Sequence, residues 1–293
     1  MNKWPSMASV MFAGFALVVV PNSADAGIRH YQAEYEQSQW QLNTGTELQC
    51  VLQHNIPRYG KAEFVSNASK QLNLQFTLNM LRKPDAITEV KLQSVPPRWR
   101  PGRMAHTITD LQFYRQFDGE LGKQDAWMML HELERGMQPT FYYQDWQDQN
   151  AVAVSLSVVN FAPGYQDFVD CLANLLPYGY EDVAFTVLHH DKYGELTSES
   201  EQQLARVLTF LNLDGNAEVV LLDVHTDSYG TETTNDALTF QQAQKLKQHF
   251  IDNGIPEQRI SAQGHGEDRL VDGNATEVQR QNNRRVIVRV ERY

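Results

Sequence analysis

Basic residues are in short supply in this chain, which restricts the partners it can have. The 293 residues include 25 Lys or Arg against 36 Asp or Glu, so the formal net charge is −11. Because binding to nucleic-acid phosphates needs a basic surface, this balance argues against a nucleic-acid partner. A hydrophobic share of 42% and an aromatic share of 10% indicate a folded protein rather than a disordered one.

Long hydrophobic runs are lacking after the first 26 residues, so we expect no membrane span. Residues 1–26 combine Lys3, an apolar run over 10–20 and the small-residue sequence Ala24-Asp25-Ala26, which is typical of a secretory signal peptide. The apolar run is shorter than the about 20 residues that span a bilayer, although a retained N-terminal anchor is the alternative. No cysteine lies near the cleavage site, so a lipid anchor is not expected. We therefore predict export to the periplasm.

Cysteine is nearly absent, and the chain contains only Cys50 and Cys171. In an exported protein, two cysteines favour a single disulfide bond. The alternative is a pair of buried thiols. The sequence does not show whether the two Cα atoms lie within bonding distance.

Residues 27–180 predict a β-rich domain. Apolar and polar residues alternate with period two over 72–78, and residues 152–159 form a second clear strand. Weaker strands are predicted at 89–93 and 111–114, and helices at 124–135 and 165–176. We expect an antiparallel sheet or partly closed barrel with one or two helices, and this part contains no recognisable chemical motif.

Residues 181–293 alternate strands with helices, which predicts an α/β sandwich and makes the whole chain α+β. Strands are predicted at 183–188, 219–222, 259–263 and 286–290. Two capping boxes, Ser198 to Glu201 and Thr239 to Gln242, would begin the helices. The second helix is predicted to end at Gly254 and to bury Phe240, Ala243, Leu246 and Phe250.

Three features occur in a specific order in this second part. The sequence HTDSYG at 225–230 follows an apolar strand, Asn235 comes eight residues after Asp227, and RQNNRRV at 280–286 leads into the last strand. This order resembles the peptidoglycan-binding domain of the OmpA C-terminal family, which has HTDxxG, an Asn, a helix and RxxNRRV. The resemblance spans residues 183–293.

The resemblance implies that the domain binds the diaminopimelate stem peptide of peptidoglycan. Its expected binding residues are Thr226, Asp227, Asn235, Arg280 and Arg284. The free end of diaminopimelate pairs an ammonium with a carboxylate, and Asp227 would bind the ammonium. The alternative for Asp227 is a turn residue that accepts local N–H bonds. Arg280 and Arg284 could supply the cation, or could instead form salt bridges to acidic neighbours such as Glu277.

The chain departs from the family at two positions. Where the family has an Arg that holds the ligand carboxylate, this chain has Gln242, which cannot form a forked ion pair. We expect Gln242 to cap its helix by reaching back to the Thr239 N–H. Val224 replaces the Gly that commonly precedes HTD. Helix N-terminal N–H groups could still bind a carboxylate.

Enzymatic interpretations are weaker, and we predict no catalytic residue, metal or cofactor. His131 and Glu132 begin an HExxH-like sequence, but Arg135 stands at its second His position. Within His189-His190-Asp191, adjacent strand residues point to opposite faces, so a two-His metal site is not expected. His225, Asp227 and Ser228 lie too close in one loop to act as a catalytic triad.

An exported, non-lipidated chain that joins a β-rich domain to this wall-binding domain resembles the T-ring proteins of sodium-driven polar flagellar motors. The resemblance implies that the first domain attaches to the flagellar basal body and the companion MotX, while the second anchors to peptidoglycan. The stator complex would thereby be held around the basal body. The rival hypothesis is a periplasmic cell-wall hydrolase that uses the second domain for targeting.

Overall fold

The computed structural model describes residues 27–292, except for the side chains of residues 218 and 219. The predicted signal peptide at 1–26 lies outside the described residues. No helix within 27–292 combines the length and hydrophobicity that a membrane crossing requires.

The first part of the chain is built mainly from strands. In order it forms β1 (Arg29–Tyr31), β2 (Trp40–Gly45), β3 (Gln49–Ile56), β4 (Gly60–Asn67), β5 (Gln75–Met80), β6 (Thr88–Val95), β7 (His106–Phe113), β8 (Gly119–Leu121), α1 (Lys123–Glu134), β9 (Gln138–Gln144), β10 (Ala151–Ser155) and α2 (Phe161–Ala173).

These strands form two open five-stranded sheets, in the orders β1-β10-β9-β6-β7 and β2-β3-β4-β5-β8. All pairings are antiparallel except β1 with β10. The sheets pack face to face, since Phe76 of β5 stacks on Phe141 of β9 with ring centroids 5.8 Å apart. The β-rich prediction is confirmed, and of its two alternatives the structure shows antiparallel sheets rather than a partly closed barrel.

A disulfide links Cys50 of β3 to Cys171 of α2, with Cα atoms 6.0 Å apart, so the predicted bond is confirmed. It fastens α2 to the sheet that contains β2 and β3, against which this helix packs. Helix α2 begins at Phe161, four residues before the predicted start at residue 165, because Phe161 and Gly164 are themselves buried in the core.

The second part of the chain alternates helices and strands. In order it forms α3 (Tyr180–Val183), β11 (Phe185–His189), α4 (Ser198–Leu213), β12 (Ala217–His225), α5 (Glu232–Asp252), a 3₁₀ turn (Glu257–Arg259), β13 (Ile260–Gly264), α6 (Glu277–Asn283) and β14 (Arg285–Arg292). The four strands form one sheet in the order β11-β14-β12-β13. Helices α4 and α5 bury apolar side chains against it, so the predicted α/β domain is confirmed.

Both predicted capping boxes are wrong. Thr197, not Ser198, caps α4 and accepts the Ser200 N–H. Helix α5 begins two turns before Thr239, at a capping box that Thr231 forms with Thr234. Several hydroxyl residues precede each helix, and the loop conformation decides which of them is the cap.

The early start of α5 changes the positions of its residues. Phe240 is exposed, against the prediction, whereas Ala243, Leu246 and Phe250 are buried as predicted. Thr239 lies inside the helix, and its Oγ1 donates to the Asn235 carbonyl at 3.0 Å. Gly254, just beyond the helix, has φ of +93°, a conformation that favours glycine.

Candidate functional site

The candidate site forms where β12 and β14 lie side by side. Their antiparallel register pairs Val224 with Val286 and His225 with Arg285. This pairing brings the loop after β12, which begins at Thr226, next to Arg284 at the start of β14. Strand pairing thus joins two motifs that are far apart in the sequence.

Asp227 is buried, with 5% of its surface exposed, and both of its oxygens have partners. Its Oδ1 accepts the Tyr229 N–H at 2.8 Å, and its Oδ2 lies 2.9 Å from Nη1 of Arg284. Asp227 therefore acts as a turn acceptor and also holds one half of an ion pair. The turn alternative for Asp227 is therefore present in the structure, and its binding of a ligand ammonium stays a prediction.

Arg284 and Arg280 converge on the same carboxylate. Arg284 pairs with Glu277 through Nη2, while Nε and Nη2 of Arg280 lie 3.1 and 2.9 Å from the other oxygen of Glu277. Hydrogen bonds from Arg284 and then Arg280 hold the pKa of Glu277 below its usual value. The salt-bridge alternative is thus present for both arginines. Arg284 additionally reaches Asp227, whereas Arg280 bonds to backbone carbonyls at Asn274 and Ala275.

Asn235 lies in the first turn of α5 and is 4% exposed. Its Nδ2 donates to the Asp227 carbonyl at 3.3 Å and to Oε2 of Glu267 at 2.5 Å. Gly230 approaches it closely at φ of +132°, and a Cβ there would lie 3.1 Å from Oδ1 of Asn235. Asn235 therefore fixes the shape of the loop rather than facing solvent.

Thr226 and Thr239 tie this loop to the end of β13. The Thr226 N–H donates to the Gly266 carbonyl at 2.9 Å, and Oγ1 of Thr239 accepts the Gly266 N–H at 2.9 Å. Gly264 permits the contact, because a Cβ there would lie 2.4 Å from the Phe240 nitrogen. Thr226 is 5% exposed, so it too shapes the site from within.

Two buried residues of this region were not singled out in the sequence analysis. Asn283, fully buried, accepts the Val271 and Asp272 N–H groups through Oδ1 and so fixes the preceding loop. Arg285 bonds to the Asn283 and Arg269 carbonyls. Burial lowers the pKa of Arg285. Their position inside the RQNNRRV motif was the only sequence signal for either role.

Gln242 does not cap a helix, because Thr239 lies inside α5. Its Nε2 donates to the Gly194 carbonyl at 3.4 Å, and its buried Oε1 has no hydrogen-bond partner. Gln242 borders a groove of about 870 Å³ between α4 and α5. His190, at the same groove, also has an unpartnered nitrogen, Nδ1, and burial lowers its pKa to about 4.

The residues considered for catalysis have other contacts. Nδ1 of His225 lies 3.1 Å from the Asp268 carbonyl, and burial, followed by the nearby Arg285 charge, lowers the pKa of His225. Glu132 accepts from Oγ of Ser94 at 2.6 Å and pairs with Arg135. Across residues 27–292, no group of three or more His, Cys, Asp or Glu side chains is arranged to hold a metal ion.

Comparison with known proteins relates both parts of the chain to families. Residues 31–177 match the model of the MotY N-terminal domain, and residues 191–284 match that of the OmpA family. The chain is 41% identical to Sodium-type flagellar protein MotY of Vibrio parahaemolyticus over 294 aligned residues. That alignment covers 100% of this chain and 99% of the relative.

Other relatives match a smaller share of the chain. Outer membrane porin F of Pseudomonas fluorescens is 45% identical over 67 residues, which cover 23% of this chain and 21% of that protein. A solved structure, the peptidoglycan-associated lipoprotein from Burkholderia pseudomallei, is 19% identical with a TM-score of 0.33. This similarity covers 36% of this chain and 89% of the chain in that structure.

Proposed function

Because the chain belongs to the family of Sodium-type flagellar protein MotY, we propose that it is a structural part of the sodium-driven flagellar motor that binds peptidoglycan. The first domain would attach to the flagellar basal body and the companion MotX as part of the T ring. The second domain would bind the cell wall, so that the stator complex is held in place. Similarity over the whole chain supports this role, and the predicted signal peptide would place the protein in the periplasm.

The single observation that carries wall binding is the Asp227–Arg284 ion pair. Its two charges lie 2.9 Å apart at the end of β12, largely shielded from water. The free end of diaminopimelate also carries two opposite charges, an ammonium and a carboxylate attached to the same carbon. The ligand ammonium would bind Asp227 while the ligand carboxylate binds Arg284.

Binding would therefore be an exchange of ion pairs. A buried charge that loses its partner costs several kcal/mol, but here each charge receives a new partner as it leaves the old one. Arg284 also keeps Glu277 throughout, so its guanidinium is never left unpaired. A ligand with only one of the two charges could not complete the exchange, which gives the site a preference for a zwitterion.

Arg284 would also supply the positive charge that is missing at Gln242. Gln242 carries no charge, whereas Arg284 provides a planar guanidinium that suits a carboxylate. Thr226 and Asn235 would support the loop, and Arg280 would hold Glu277 in position. In this proposal, Asp227 and Arg284 are the residues that touch the ligand.

The direct test is co-sedimentation of the full protein with purified wall sacculi. We expect the protein to bind, and free meso-diaminopimelate to compete with the wall. Cadaverine, which keeps the two amines of that ligand but has no carboxylate, should compete poorly. Equal competition by both compounds would contradict the zwitterion site. Release of soluble muropeptides during the incubation would instead support the hydrolase alternative.

A further inference from the structure

Strand β7 leaves a long backbone edge open in the first domain. It is the last strand of its sheet and pairs on one side only, with β6. With eight residues, His106–Phe113, it is the longest edge strand in the part of the chain that the structure describes. An unpaired edge of this length presents N–H and C=O groups that can pair with another strand.

The loop that precedes β7 carries a concentration of positive charge. Residues 96–105 contain Arg98, Arg100 and Arg103 and no acidic residue, in a chain whose net charge is −11. Arg100 is held in place, since Nη1 donates to the Arg135 carbonyl at 2.5 Å. Arg98 and Arg103 are exposed and form no hydrogen bond or ion pair with any residue in 27–292.

The same loop exposes two large apolar side chains. Trp99 is 59% exposed and Met104 is 85% exposed, so neither contributes to the core of its own domain. Trp, Met and Arg are enriched in protein–protein interfaces, where a buried apolar centre is combined with specific polar contacts. The composition of this loop is therefore that of an interface rather than that of a solvated turn.

The other end of β7 is apolar. Tyr114 and Phe117, directly after the strand, are 54% and 67% exposed, and Leu81 and Ile87 of the neighbouring loop are 77% and 63% exposed. A hydrogen bond of 2.8 Å from the Gln116 N–H to the Pro84 carbonyl joins the two loops. Exposed apolar side chains grouped in this way mark an interaction site.

We propose that β7, the loop at 96–105 and the loops at 81–87 and 114–118, together the β7 surface, bind an extended acidic segment of a partner protein. The segment adds to the sheet as a strand along β7. Its carboxylates pair with Arg98 and Arg103, and its apolar side chains contact Trp99 at one end and Phe117 at the other. This inference rests on the docking role proposed for the first domain.

Charge and geometry favour this occupant over a second copy of the chain. The surface as a whole is acidic, whereas the β7 surface has two unpaired arginines, so an acidic segment is attracted to it selectively. Asp110, the acidic residue of β7, lies opposite Lys91 in the β6 register. Strand addition satisfies the open backbone groups, and alternate side chains of the segment provide specificity.

The test uses a synthetic peptide of about nine residues, long enough to pair with the whole strand, in which valine and glutamate alternate. Binding to the full protein is measured by fluorescence anisotropy at low and high salt, and the contact is located by hydrogen exchange. We expect protection of β7 amides and weaker binding at high salt, because salt screens exposed charges. A peptide that alternates valine and lysine is the matched control and should bind at least tenfold more weakly.

Two double variants separate the arginines from net charge. Arg98→Glu with Arg103→Glu should weaken binding of the glutamate peptide at least tenfold. Lys123→Glu with Lys192→Glu changes the net charge equally at exposed positions outside the β7 surface and should leave binding unchanged. Hydrogen exchange of the free variants verifies that both remain folded.

Three results would overturn the proposal: no binding of the glutamate peptide, protection elsewhere than β7, or equal loss in both double variants. Protection of β7 that rises with protein concentration alone would assign the edge to a second copy. The peptide assay contains neither wall nor basal bodies. A negative peptide assay therefore contradicts the β7 surface proposal but not the proposed motor role. Absence of sacculus binding contradicts the proposed wall binding but not the β7 surface proposal.

Discussion

The two proposed binding surfaces, one in each domain, place their charged residues in opposite ways. In the first domain, Arg98 and Arg103 are exposed and unpaired beside an open strand edge, whereas in the second, the buried Asp227 pairs with the partly buried Arg284. An exposed, unpaired charge attracts a large partner from a distance and needs little rearrangement. A buried pair accepts only a ligand that replaces both partners. In the proposed function, the protein would dock through one domain and select a small chemical group with the other.

The domains also differ in what stabilises them. The first has a disulfide and a core rich in phenylalanine, with Phe64, Phe76, Phe113 and Phe141 fully buried. The second has no disulfide among its described residues, and its core is mostly Val and Leu around one sheet. A substitution in the core of one domain should therefore change the stability of that domain and leave the other unchanged.

Loss of the disulfide has the largest expected effect. Cys50→Ser should destabilise the first domain by roughly 2–5 kcal/mol, because the bond closes a long loop and restricts the unfolded chain. The second domain should unfold as before, which two transitions in calorimetry would resolve. Cys171→Ser should match Cys50→Ser, and adding the second substitution should change nothing more. A fall in both transitions would show that the domains are not independent in stability.

Acid should destabilise both domains through one buried histidine in each. Burial lowers the pKa of His54 and of His190 to about 4, from an ordinary value of 6.5. Between pH 6.5 and pH 4 the unfolded chain binds more protons than the folded chain does. The contribution of these histidines to the free energy of unfolding is therefore fully present above pH 6.5 and is lost as the pH falls towards 4. Each histidine could contribute up to roughly 3 kcal/mol to this loss.

The histidine variants assign that loss to the correct domain. His190→Gln removes a titrating group from the second domain only, so denaturant unfolding from neutral to acidic pH should show a flatter profile for that domain. The first domain should keep its pH dependence through His54. An unchanged profile in His190→Gln would mean that His190 does not become charged on unfolding in this range.

Asp227→Asn should weaken wall binding about tenfold, equivalent to about 1.4 kcal/mol. Asparagine keeps an oxygen that can accept the Tyr229 N–H but loses the charge that pairs with Arg284 and would bind the ligand ammonium. Asp252→Asn, at the far end of α5, is the matched control and should bind sacculi normally. If Asp227→Asn binds sacculi as well as the native protein does, Asp227 only accepts the turn hydrogen bond and its charge does not bind the ligand.

The smallest effect is expected at Gln242. Gln242→Arg should tighten sacculus binding roughly two- to threefold by adding a forked carboxylate partner, whereas Gln242→Lys should gain less because its ammonium is a point charge. No cap is lost, since Gln242 does not cap α5. Equal affinity of both variants and the native protein would show that the ligand carboxylate is bound away from this helix.

The sequence predicted those elements whose side chains follow one clear period. The alternation of apolar and polar residues over 72–78 predicted β5 to within a few residues. The position of Trp127 and Leu130 on one helix face predicted α1. Strands β2 to β4 were not predicted, because they mix polar residues into the buried face. His54, for example, is fully buried and bonds to the Gln39 carbonyl at 2.8 Å.

The sequence motifs supplied the candidate site residues but not their contacts, and the role of these residues in binding stays a prediction. The motifs identified Asp227 and Arg284, which are separated by 57 positions. Only the register of β12 with β14 brings them together, and no local spacing encodes that register. The caps were wrong for a related reason: the box pattern favoured Thr239 with Gln242, while the loop geometry places Thr231 at the cap.

The central claim is that docking and wall binding use separate charged sites on separate domains. It is tested most directly by measuring sacculus binding and basal-body attachment side by side for Asp227→Asn and for Arg98→Glu with Arg103→Glu. The account predicts that the first variant loses wall binding about tenfold, or about 1.4 kcal/mol, and still attaches to basal bodies. It predicts that the second variant loses basal-body attachment and still binds sacculi as the native protein does. Loss of both activities in either folded variant, or of neither in both, would contradict the account.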